Sequence, residues 1–465
     1  MEPSNQPSRR TFQRRLETMI TRLREEIREG FYKAGDYLPS ETDLVDRFQL
    51  SNKSVRKGLE QLIAEGLIVK VNRVGSRVTE DAGAAVTVSF GYHASIERDF
   101  MLAHLLADFQ SLHPKIRVKK VELRASDPAS LRDYLQNGLL DALTINNAHF
   151  TDLAESGWKH VLEPRAANPG LYTFASEAFV LEGVRYASPV VFSPILLAYN
   201  RDHFIEAGVP EPDGSWTWRE ALRHAAALTV PGKRHGFYFH LLSDNRWPAF
   251  LLQSGMRFEP DGEGIFHLAG TRLLESIRLC KAIVTDNDVY PNYLSESNHD
   301  VNELFMQGRV SMIMTNYMTL NEIKHADIRY DISPLPYLYE PRSLLNVIGV
   351  AVNSQAKEKE AALLLADYFS SPRAQRMIRE LTLSLPALKE AAEEPVQPGE
   401  TLNRPSRYFL FREIMSSFRL HRELNLSKDA FSSLRQLLKH YWSGLIDEDE
   451  LCERSLQLFN RQEQP

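Results

Sequence analysis

SNKSVRKGLEQLIAEGLI, residues 51–68, is the stretch on which the reading of this chain turns. Val55, Leu59, Leu62 and Ile63 recur three or four residues apart, while Asn52, Lys53, Arg56 and Lys57 fall on the other side. That spacing predicts an amphipathic helix that rests on a core and turns a polar, basic face outward. Such a helix can enter a DNA groove, and the flanking segments decide whether it belongs to a DNA reader.

Upstream, TFQRRLETMITRLREEIREG carries Phe12, Leu16, Ile20, Leu23 and Ile27 at helical spacing, and Gly30 can end the helix. In LPSETDLVDRF, Ser40 is followed three residues later by Asp43, the capping-box pattern of a helix start, with Leu44 and Phe48 as its core face. Downstream, GLIVKVNRVGSRV alternates apolar residues around a basic turn at 72–75, as a small β-hairpin does. Three helices and a hairpin within residues 10–80 predict a winged helix-turn-helix.

The run GDYLPSETDLVDRFQLSNKSVRKGLEQLIAEGLIVKVNRVGSRV resembles the DNA-binding domain of the GntR family of bacterial transcription regulators. In that family LPSE opens the second helix, an S/T…VR…L..L..EGL pattern builds the third, and R.G[ST] tips the wing. The resemblance implies a homodimer that places the third helix of each subunit in the major groove of a near-palindromic double-stranded operator. By position, Ser51, Asn52, Lys53, Ser54 and Arg56 then approach bases and phosphates, and Arg73 and Ser76 on the wing approach the minor groove or backbone. Arg56 is the candidate for a base edge, because a guanidinium can grip guanine O6 and N7 together. Lys53 and Lys57 suit phosphate, which positions without specifying. The family often has arginine where this chain has Thr42 and Asn52, which implies a different operator preference or weaker binding.

Almost four hundred residues follow, too many for one core, since single cores stop growing at roughly 250 to 300 residues. The first 80 residues hold 15 Lys and Arg against 12 Asp and Glu, and the remainder 40 against 49, so a mildly basic head precedes an acidic body. The two cysteines, Cys280 and Cys452, lie far apart with no histidine at metal spacing, so neither a disulfide framework nor a metal site is expected. The N-terminal MEPSNQPSRRTFQRR lacks the apolar stretch of a secretory signal, and no run of about 18 apolar residues occurs. A cytoplasmic protein with no membrane partner is the expectation.

After a polar linker at 81–85, the body opens with VTVSFGY as a strand and Leu102, Leu105, Leu106, Phe109 and Leu112 at helical spacing. KIRVKKVEL reads as strand, SLRDYLQNGL as helix and LDALTIN as a buried strand. This alternation predicts an α/β body with a largely parallel sheet. Ligands of such sheets bind beyond the carboxyl ends of the strands, here residues 92–95 and 146–149. Those loops are rich in hydrogen-bonding side chains and lack a glycine-rich phosphate cradle, which suits a neutral polar ligand better than a nucleotide.

YASPVVFSPILLAYNRDHFIEAGVPEPDGSWTWREAL, residues 186–222, resembles the segment of sugar-type (family 1) solute-binding proteins in which a strand crosses between lobes. ELFMQGRVSMIMTNY and NVIGVAVNSQAKEKEAALLLADYFSSPRAQRMI resemble two further segments of that family, in the same order. The resemblance implies a two-lobed α/β domain over residues 86–465 that closes on a small molecule, expected to be a carbohydrate. Aromatic rings stack on sugars and polar side chains bind their hydroxyls, which makes Asn146, Asn147, Trp247, Asn316, Tyr317 and Asn346 the ligand-binding candidates. Trp216 and Trp218 open a helix in GSWTWREAL and are expected to pack.

GntR-type heads also occur on aminotransferase-like bodies that use pyridoxal phosphate, in the MocR subfamily. That alternative needs a Schiff-base lysine followed by Pro, Arg and Gly, which this sequence lacks, together with GxSxG, HExxH and GxxxxGK[ST]. No enzymatic activity and no cofactor are therefore expected. The remaining alternative is a body that only dimerises.

Overall fold

Three helices, α1 (Arg9–Arg28), α2 (Glu41–Phe48) and α3 (Asn52–Ala64), precede an antiparallel hairpin of β1 (Ile68–Val71) and β2 (Gly75–Val78), the winged arrangement that the periodicity predicts. The computed structural model describes residues 9–28, 30–72, 74–79, 86–123, 128–395 and 401–460. The expected linker at 81–85 and the wing residue Arg73 lie outside the described residues. The chain divides into two units, residues 1–90 with 106–120 and residues 91–105 with 121–465.

In the head, Met19, Leu23, Leu44, Val55, Leu62 and Val78 meet in one apolar core. The capping box at Ser40 is formed: its side chain accepts from the Asp43 amide, and the Asp43 carboxylate accepts in return from the Ser40 amide. Two of the amides orphaned at the helix start are thereby satisfied. Gly66, at φ +75°, turns the chain sharply from α3 into β1, a conformation that a side chain disfavours.

The body begins with β3 (Val86–Tyr92), α4 (Ser95–Phe100), α5 (Leu102–Leu112), β4 (Ile116–Glu122), α6 (Pro128–Gln136), β5 (Ala142–Asn146) and α7 (Asn147–Glu155). It continues through a short hairpin, β6 (Val180–Leu181) and β7 (Val184–Arg185), into β8 (Ala187–Asn200). Then come β9 (His235–Tyr238), β10 (Val310–Asn316), β11 (Tyr330–Ser333), β12 (Ser343–Val352), β13 (Leu385–Pro386) and β14 (Phe418–Arg419).

Within the second unit the strands run β5, β12, β8, β10, β9 across the sheet. β8 is 14 residues long and buried throughout; its first half pairs with β12 and its second with β10 and β11. One strand therefore belongs to both lobes of a two-lobed α/β fold of the periplasmic-binding-protein kind. The expectation of a largely parallel sheet does not hold for the strands that link the lobes. β5 with β12, β12 with β8 and β8 with β10 are all antiparallel, and parallel pairing within this path is found between β10 and β9. A strand that crosses between lobes and another that returns must run in opposite directions, which local periodicity does not register.

The C-terminal region completes the body. Its helix Lys428–Trp442 lays Phe431 on Trp247, and Arg435 donates two hydrogen bonds, of 2.9 and 2.7 Å, to the Asp244 carboxylate.

Candidate DNA-reading face and ligand cleft

Ser51 caps α3 by accepting from the Ser54 amide at 3.2 Å. Val55, Gly58, Leu59 and Leu62 face the core, which leaves Asn52, Lys53, Arg56 and Lys57 exposed. Thr42 is exposed at the start of α2, Ser54 is half-buried, and Ser76 is half-buried on the wing. Glu41 ties these elements together. Its carboxylate accepts from Arg56 Nε at 2.7 Å and stands 3.7 Å from Lys70 Nζ, so it links α2, α3 and β1. The hydrogen bond from Arg56, with the charges of Arg56 and Lys70, holds the Glu41 carboxyl below its ordinary range. Sequence reasoning missed Glu41, although its place in LPSE, directly after the cap, was on view.

In the body, Asn146 caps α7, its Oδ1 accepting from the His149 amide at 2.8 Å. Asn147 is buried and its Oδ1 accepts from the Val347 amide at 2.8 Å, fastening α7 to β12. Asn346 is buried opposite Ser193. Asn316 accepts from the Thr319 amide and hydroxyl at 2.8 and 3.0 Å, and so holds the turn after β10. Tyr317 is fully buried; its hydroxyl donates to the Tyr408 carbonyl and its amide to Ser193 Oγ, at 2.8 and 2.7 Å. Trp247 is 1% exposed, stacked on Phe431 at 4.9 Å and edge-on to Trp442 at 6.0 Å. As arranged, neither ring turns a face to solvent. Trp216 and Trp218 are packed, as expected.

Around α7 the structure gathers groups from distant parts of the chain. His149 is half-buried, and the charges that act on it come from His93, Lys428, His421 and Asp244. Burial, followed by the nearby basic groups, pushes the imidazole down to about 4, with Asp244 opposing. In the unfolded chain the group has its ordinary value of 6.5, so the stability it contributes is complete above pH 6.5 and is lost as pH falls through about 4. Thermal melts of the wild type and His149→Gln are expected to separate between pH 6.5 and 4, the wild type losing more stability on acidification. Parallel curves would show that His149 titrates as it does in the unfolded chain.

Among the described residues, no group of three or more His, Cys, Asp or Glu side chains could hold a metal ion, and no helix is long and apolar enough to cross a membrane.

This architecture is a winged helix joined to a two-lobed solute-binding fold. Residues 104–402 match the bacterial extracellular solute-binding protein family, and the chain belongs to it; residues 16–78 match the bacterial regulatory proteins of the gntR family. The body that the aminotransferase alternative would require is thus occupied by a solute-binding domain. A galactooligosaccharide-binding protein of Bacillus subtilis is 23% identical over 271 residues, 55% of this chain and 62% of that protein. The histidine utilization repressor of Klebsiella aerogenes is 36% identical over 61 residues, 13% of this chain and 25% of that one. The chain spans little more than half the length of the curated relatives that its body matches. Among solved structures, an ABC substrate-binding protein of Listeria monocytogenes in complex with cycloalternan superposes with a TM-score of 0.68 at 20% identity, covering 81% of this chain and 98% of that one. At such identity the likeness is one of fold.

Proposed function

We propose that this protein is a transcription regulator whose operator binding is modulated by a small carbohydrate held between the lobes of its body. The observation that carries the reading is the fusion itself: a helix-turn-helix head with an exposed basic α3 on the same chain as a solute-binding fold. The carbohydrate class is supported by relatives and structural neighbours named for sugars, among them the galactooligosaccharide-binding protein and the cycloalternan complex.

In this reading the protein acts in the cytoplasm as a homodimer. Each α3 enters a major groove with Ser51, Asn52, Lys53, Ser54, Arg56 and Lys57, Thr42 lies near the backbone, and Arg73 and Ser76 reach from the wing. The ligand lies over the strand ends that carry Asn146, Asn147, Asn316 and Asn346, and Trp247 and Tyr317 become available when the C-terminal segments that cover them shift. Closure of the lobes changes the spacing of the two heads, and half-sites one DNA turn apart are sensitive to that spacing.

A thermal-shift screen of the full chain against mono- and oligosaccharides, followed by operator binding with each hit, tests the proposal. At least one carbohydrate is expected to raise the melting temperature and to change operator affinity by about 5- to 150-fold, the ordinary size of an allosteric coupling. A screen in which no sugar alters either quantity would refute the sensing half.

A further inference from the structure

Arg246 stands out among the charged residues of the body. It is 1% exposed and makes no ion pair among the described residues. Its Nε donates to the Met314 carbonyl and its Nη1 to the Asn245 carbonyl, both at 3.1 Å, while Nη2 is buried with no hydrogen-bond partner among the described residues. Asp244, the acid nearest in sequence, is bound at both oxygens by Arg435. Among the described residues nothing anionic answers the guanidinium, and burial pulls it down to about 10.

The location gives this charge its meaning. β9 and β10 are parallel neighbours, and Met314 lies in the last turn of pleat of β10, two residues before its end. His240, two residues beyond the end of β9, feels the charge of Arg246 and is lowered by burial and by it. Thr315, next to Met314, is fully buried and its hydroxyl also has no partner among the described residues. Arg246 therefore sits over the carboxyl ends of two adjacent parallel strands, where α/β sheets take their ligands. An unpaired buried cation is costly, and an anion brought by a ligand offsets part of that cost.

We propose that the ligand is an anionic carbohydrate, carboxylated or phosphorylated, whose charged group pairs with Arg246 at the ends of β9 and β10. This rests on the sugar-sensing reading above and sharpens it, because a neutral sugar leaves the guanidinium unanswered. An opening of the lobes admits the ligand to the buried site.

The test uses the full chain and three sets of probes: glucuronate and galacturonate, glucose 6-phosphate and galactose 1-phosphate, and neutral glucose, galactose and maltose. One of the two anionic sets is expected to raise the melting temperature while the neutral sugars do not, and which set does so separates carboxylate from phosphate recognition. Arg246→Gln is expected to weaken that binding by about 30-fold or more, as loss of a buried charge partner does. Without ligand, Arg246→Gln should be no less stable than the wild type, a result that a merely structural arginine would not give. If neutral sugars bind as well as anionic ones, or if Arg246→Gln keeps its affinity, the inference falls and the sugar-sensing reading stands. If no carbohydrate binds, both fall. Should Arg246→Gln fail to fold, the comparison of anionic with neutral probes on the wild type still decides the matter.

Discussion

Arg56→Ala is expected to weaken binding to the cognate operator by about 1–3 kcal/mol, roughly 5- to 150-fold, with little loss on unrelated DNA. The side chain of Arg56 is 63% exposed, and its Nε edge is engaged by Glu41 at 2.7 Å. Engagement at Nε restrains the guanidinium, and no hydrogen bond from its two Nη groups is seen among the described residues. A guanidinium so held has its paired donors available for guanine O6 and N7, the bidentate contact that reads a base.

The controls follow from the same geometry. Exposed ion pairs contribute about 0–1 kcal/mol, so Arg56→Ala should melt close to the wild type, and a lost operator contact is then not a lost fold. Lys53→Ala and Lys57→Ala should weaken cognate and unrelated DNA alike, each reducing the salt dependence by about one counterion. Titrations on both kinds of DNA at several salt concentrations separate the cases. An Arg56→Ala protein with undiminished cognate affinity would take Arg56 off the reading face.

Gly236→Ala is expected to destabilise the body by about 3 kcal/mol or more. A β-carbon built at Gly236 meets the Ala225 carbonyl oxygen at 1.9 Å and its carbon at 2.4 Å. Both are backbone atoms, so no side chain can rotate away. β9 and the helix Trp218–Leu228 would have to part, and that helix is anchored by buried Trp218, Ala221, Ala225 and Leu228. Because Gly236 lies in the strand whose end leads to His240, separation here also disturbs the floor of the candidate cleft. A fall in melting temperature of about 5 °C or more, followed by circular dichroism, is the expected result. A change below about 1 kcal/mol would show that the helix yields easily.

The candidate sites were legible to different degrees. The head could be read closely because its signals are local: a cap three residues from its partner, a helix with period near 3.6, a glycine where the chain reverses. The ligand candidates rest on residue type and, for Asn146, Asn147, Asn316 and Tyr317, on position at strand ends, and the structure gives most of them structural partners as well. Asn146 and Asn316 cap turns, Asn147 fastens a strand, and Tyr317 donates to Tyr408. Arg246 went unnoticed because a single arginine in DNRWPAF carries no signal until its surroundings are known to lack an acid.

Sequence by itself determined the helices and hairpin of the head and the first strands and helices of the body, since each is written in spacing over a few residues; the strand that crosses between lobes was legible through the resemblance to solute-binding proteins. Tertiary structure decided the rest. It brought Arg435 to Asp244, 191 residues away, and Phe431 onto Trp247, and it set Gly236 against the Ala225 carbonyl. It also left Arg246 buried, with no counter-ion among the described residues, at the ends of two parallel strands. Burial and charge pairing depend on which segments meet after the chain has folded, and the periodicity of one segment carries no information about its distant neighbours.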